Sequence, residues 1–143
     1  MSRPPSSAGR GRDAAGRPVP LDSPDAVAPV PEQALPAPEA LALARDLLAE
    51  GRPFFAHDVL EAVWKAAPVG ERELWQGLAQ ICVGLTHQQR GNAAGAARLL
   101  RRGAGTLGAS VGAYGVDVAS VVAQALTAAE VVDAGGTPAR LWL

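Results

Sequence analysis

Residues 38–53 read PEALALARDLLAEGRP, and residues 54–100 read FFAHDVLEAVWKAAPVGERELWQGLAQICVGLTHQQRGNAAGAARLL. These two stretches decide the fold. Ala and Leu dominate both, and they are strong helix formers. Leu41, Ala44, Leu47 and Leu48 recur at helical spacing, so the first stretch is predicted to be an amphipathic helix. Pro38 suits its first turn and Gly51 the position just past its end. Pro53 opens a second helix through Phe54, Phe55, Val59, Leu60, Val63 and Trp64, which stops near Pro68. A third helix is predicted from about Glu71 to Arg90, with Leu74, Leu78, Ile81 and Leu85 on one stripe. Gly91 ends it, and Asn92 caps a fourth helix that carries Ala96, Leu99 and Leu100.

Further along, Gly103, Gly105, Gly108, Gly112 and Gly115 are expected to loosen the chain. Asp117 then caps a fifth helix, Val118 to about Ala134. Short connections make consecutive helices antiparallel neighbours. The expectation is all-α: a single small antiparallel bundle of about five helices over residues 37–143, with the third helix at its centre.

Upstream, nine of the 12 prolines fall between Pro4 and Pro38, among Gly, Ser, Asp and Arg. Such a stretch buries too little apolar surface to offset its ordering entropy. Met1 to about Pro36 is therefore read as a disordered arm. No apolar core of ~7–15 residues follows Arg3, Arg10, Arg12 and Arg17, which argues against a secretory signal and for a cytoplasmic protein.

The whole chain has 143 residues, 48% hydrophobic and 19% charged, with a net charge of −1. That balance offers no basic field for nucleic acid. No apolar run approaches the ~20 residues of a membrane span. A single cysteine, Cys82, excludes an internal disulfide framework and a cysteine-based zinc site.

The candidate site residues sit on the second and third helices. At ~100° per residue, Glu61 lies about 40° from His57 and Trp64 about 20° on the other side, so all three share a face. Asp58 and Lys65 mark the solvent side. Gln76, Gln80 and His87 fall within about 40° of one another on the third helix. Gly84 on that face leaves room for a close neighbour, and Asn92 follows at the bend. If the two helices pack antiparallel, His57, Glu61, Gln76, Gln80, His87 and Asn92 are expected to line one pocket with Trp64 as a wall.

These residues resemble the bacterial domain-of-unknown-function family 309. Its mark is histidine, three residues, glutamate, two residues, tryptophan, here His57, Glu61 and Trp64. Gln76-Gly77, Gln80, His87, Gly91-Asn92 and Gly95-Ala96 continue the pattern, and the similarity runs from about Leu41 to Leu107. The resemblance implies a small all-helical fold. It carries the label of a metal-dependent hydrolase but no substrate.

Three readings of the polar set stay open. A divalent metal takes imidazole and carboxylate ligands, and His57, Glu61 and His87 are the candidate set for one. Against it, no second acid shares the face to activate water. A pocket of amides, imidazoles and a carboxylate also suits a small polar ligand without chemistry. Third, the same groups can serve as a structural network that fixes helix register. Catalytic residues are not assigned. Trp75 reads as core or interface, Cys82 as a buried inert thiol, and Arg98, Arg101 and Arg102 as a solvated face. The apolar end PARLWL, with Trp142, is expected to dock on its own domain or on a second copy, which makes a homo-oligomer a candidate.

Overall fold

The computed structural model describes residues 10–20, 22–27 and 33–143. Among these described residues five α-helices follow one another: α1 Ala37–Ala49, α2 Pro53–Ala66, α3 Arg72–Gln89, α4 Ala93–Gly108 and α5 Val118–Asp133. They form a small antiparallel bundle in which each helix packs on the next, with α3 between α2 and α4. The local reasons match the sequence signals. Proline occupies the first turn of both α1 and α2. Gly51 and Gly91 adopt φ of +73° and +81°, the left-handed conformation that terminates a helix. Asn92 accepts a hydrogen bond from the Gly95 amide at the start of α4, and Asp117 accepts one from Ser120 at the start of α5.

The expectation that Gly103, Gly105 and Gly108 loosen the chain is corrected: α4 continues through all three. The reason lies in packing. A Cβ at Gly103 would stand 2.7 Å from Ile81 Cγ1 and 3.0 Å from the Gly77 carbonyl oxygen. One at Gly77 would stand 2.7 Å from the Leu107 amide nitrogen, and one at Gly84 would stand 2.9 Å from Leu100 Cγ. Backbone of α3 thus meets backbone of α4, and close approach outweighs glycine's low helix propensity. The room expected beside Gly84 is filled by α4. Core residues Trp75, Leu78, Ile81, Leu100, Leu107 and Val121 are sealed from solvent around this crossing.

Two features lie outside the helices. Residues 10–20, within the stretch read as an arm, form a short antiparallel hairpin, β1 Arg10–Arg12 paired with β2 Pro18–Pro20. Its composition gave no alternating apolar signal; its turn is held instead by Asp13, whose Oδ1 accepts from the Arg17 amide at 2.8 Å. Residues 1–9, 21 and 28–32 of that expected arm lie outside the described residues. At the other end, Leu141 and Leu143 are buried against the bundle, so the apolar tail docks on its own domain.

Candidate functional site

The geometry is best built from α2. His57 and Glu61 are one turn apart, and His57 Nε2 meets Glu61 Oε2 at 2.5 Å. Glu61 Oε1 accepts from Lys65 Nζ at 3.0 Å, another turn along. The three form a ladder on a single helix, the i,i+4 pattern of neighbouring charges. Lys65's hydrogen bond is the largest influence on the Glu61 carboxyl; burial opposes it, and the charges of His57 and Lys65 help keep the carboxyl below its ordinary value. Asp58 is not fully on the solvent side: it is half-buried, and its Oδ1 lies 3.5 Å from His57 Nδ1. Burial pushes its carboxyl up, and the His57 charge offsets part of that rise.

A second unit sits at the α3–α4 corner. Asn92 Oδ1 is committed to the Gly95 amide at 3.0 Å, which fixes the orientation of the side-chain amide. Its Nδ2 therefore donates to His87 Nδ1, 3.0 Å away. A ring nitrogen that accepts carries no proton, so the neutral His87 ring carries its proton on Nε2.

The two units meet at one place. His57 and His87 both line a cavity of about 90 Å³ together with Phe54, Val83, Thr86 and Arg90. Glu61, Trp64, Gln76, Gln80 and Asn92 do not line it, although Glu61 and Asn92 each touch one of its histidines, and Phe54 takes the place expected for Trp64 as a wall. Angular arithmetic explains the miss. Trp64 shares the His57 azimuth but stands seven residues on, about 10 Å along the helix axis, and Gln80 stands equally far from His87. Trp64 packs against the hydrophobic core instead. Gln76 is half-buried, and Gln80 Oε1 is buried without a hydrogen bond. Phe54, Val83, Thr86 and Arg90 line the cavity without having been among the residues expected to do so. Arg90 was legible as one turn beyond His87, and Phe54 as one turn before His57.

The expected metal set does not assemble. Among the described residues, no three His, Cys, Asp or Glu side chains are grouped to hold a metal ion. Both oxygens of Glu61 are already committed, one to His57 and one to Lys65. Cys82 is fully buried and its thiol is pushed up to about 12, so it is inert as a nucleophile.

Against this geometry the comparisons with known proteins fall into place. Residues 41–99 match the sequence model of a domain of unknown function, DUF309. The resemblance read from His57, Glu61, Trp64 and the residues after them is thereby confirmed over that span. One relative is an uncharacterized protein, YpuF, of Bacillus subtilis (strain 168), 44% identical over 48 residues. The aligned part covers 33% of this chain and 28% of the length of that relative. No solved structure matches the chain. The DUF309 span takes in most of α1, all of α2 and α3 and the start of α4, and thus every residue of the cavity. Among the described residues, no helix is long and apolar enough to cross a membrane.

Proposed function

We propose that this DUF309 domain is a cytoplasmic binding module for a small polar ligand, seated between α2 and α3. The observation that carries the reading is the convergence of the chain's two histidines, thirty residues apart, on one cavity. Its volume of about 90 Å³ corresponds to roughly three water molecules or a ligand of a few non-hydrogen atoms. Its walls combine an apolar side, Phe54 and Val83, with nitrogen donors from His87 and Arg90, the mixture typical of a specific small-molecule site. The hydrolase alternative lacks this support, because Glu61 is turned to His57 and Lys65.

A structural role is the second reading, favoured by one bond. Asn92 ties His87 to the first turn of α4, so that corner serves register as well as the pocket. A thermal-shift screen of small polar compounds on the full chain separates the two. A ligand at 100-fold excess over its Kd stabilises by about 2.7 kcal/mol, a readily measured shift. Hits are expected to move the imidazole resonances of both His57 and His87 and to lose their effect in His87→Gln. A screen whose hits leave both imidazoles unmoved, beside a His87→Gln protein that melts well below wild type, would favour the structural role.

A further inference from the structure

The hairpin over residues 10–20 lies against two of the pocket's walls. Gly16 is buried with φ +81°, and a Cβ there would stand 2.2 Å from Phe54 Cγ, so its backbone lies directly on the ring. Arg12 and Arg90 hold their guanidinium groups 5.1 Å and 5.3 Å from the centroid of that same ring. Both distances fall within the ~6 Å over which a cation is drawn to an aromatic face. Arg12 also donates to the Gly16 carbonyl at 2.6 Å, which closes the hairpin onto Phe54. Across the gap, Arg90 Nε donates to the Ala15 carbonyl at 3.0 Å.

Arg90 thus serves two sites. It lines the cavity with His57, Thr86 and His87, and none of the lining residues is acidic. The His87 tautomer set by Asn92 adds a second N–H donor. Such a lining suits an oxyanion, which a guanidinium can hold through paired, charge-assisted hydrogen bonds that a single neutral carbonyl cannot offer. Building on the pocket reading above, we propose that the hairpin is a self-docked competitor for Arg90: the Ala15 carbonyl holds the guanidinium that a small oxyanion in the cavity requires. Hairpin docking and anion binding then weaken one another, and by linkage they do so by the same factor.

The test uses the full chain, with inorganic phosphate compared against chloride at equal ionic strength. Arg12 is held over Phe54 when the hairpin is docked, so trypsin should cut the Arg12–Asp13 bond slowly. Gly16→Val places a branched side chain where the Phe54 ring stands and undocks the hairpin without altering a pocket residue. Phosphate is expected to speed cleavage at Arg12–Asp13 in the wild type by about fivefold, the low end of measured couplings. Gly16→Val should be cut fast with or without phosphate, and calorimetry should show it binding phosphate tighter than wild type by the same factor. Equal phosphate affinity in both proteins, with cleavage unaffected, overturns the competition and leaves the pocket intact. Fast cleavage of Gly16→Val with no phosphate binding by either protein overturns the oxyanion. If the screen above also finds no ligand, the pocket reading falls with it. Gly16→Val cut as slowly as wild type shows that the hairpin is not held through Phe54 and overturns the proposal at its first step.

Discussion

Glu61 shows what a single side chain contributes. Its carboxyl is held below the ordinary value of 4.5, first by the hydrogen bond from Lys65 and then by the charge of His57. A carboxyl depressed on folding contributes stability above its unfolded value, and the contribution is lost as pH falls through the folded value. Burial pushes Asp58 the other way: the cost of keeping it ionised is relieved as pH falls. Glu61→Gln isolates the first effect, because Asp58 is common to both proteins. The Glu61 side chain is 32% exposed and Lys65 67%, so solvent screens the ladder. The expected loss at neutral pH is about 0.5–1 kcal/mol by urea denaturation, the range of exposed pairs. It should shrink toward zero in acid, once Glu61 is protonated in both states. A loss that persists unchanged in acid would mean that Glu61 acts by packing rather than by charge.

At the scale of elements, the α3–α4 crossing divides the glycines of α4 into two kinds. Gly103 faces Ile81 and the Gly77 carbonyl, while nothing lies within 4 Å of a Cβ built at Gly105. Alanine improves helix propensity at both by about 1 kcal/mol. At Gly103 the new methyl meets backbone that cannot rotate away, and overpacking of this kind costs about 1–3 kcal/mol. Gly105→Ala is therefore expected to stabilise by about 0.5–1 kcal/mol, and Gly103→Ala to destabilise, in parallel denaturation curves. Equal and opposite behaviour from this expectation would place the crossing elsewhere. The same pair of residues shows where the sequence is legible. Caps such as Asn92 and Asp117, and proline starts such as Pro53, are local events, and the sequence displays them directly. A glycine run inside α4 reads as a break because its partner, the backbone of α3, is a tertiary neighbour. The polar site divides the same way. Azimuth brought His57 and Glu61 together correctly, but height along the axis, which periodicity does not encode, removed Trp64 and Gln80 from the cavity and admitted Phe54 and Arg90.

At the scale of the whole molecule, the chain after α5 closes the bundle by returning to α1. Gln124 of α5 grips the tail with both ends of its amide: Nε2 donates to the Trp142 carbonyl and Oε1 accepts from the Trp142 amide, each at 3.0 Å. On the far side Arg140 donates to the Ala49 carbonyl, and Arg45 donates to the Leu143 oxygen at 3.4 Å. Gln89 of α3 donates to the Gly51 carbonyl at 2.7 Å, so the open carbonyls at the end of α1 are answered by side chains from two directions. Open clefts of about 430 Å³ and 450 Å³ flank the tail at Arg140 and Leu141, beside the anchors that hold it. Two of those anchors are apolar. Leu141 and Leu143 point inward, while Trp142 between them is 61% exposed, the alternation of an extended segment lying on a surface. The largest side chain of the tail is therefore expected to matter least. Leu141→Ala should cost about 2 kcal/mol, the low end for a buried leucine because the segment can settle into the space left. Trp142→Ala should stay within about 0.5 kcal/mol, as for an exposed substitution without partners of its own. Thermal denaturation of the two variants beside wild type reads both values. A larger loss from Trp142→Ala than from Leu141→Ala would show that the indole is covered in solution, by this chain or by a second copy.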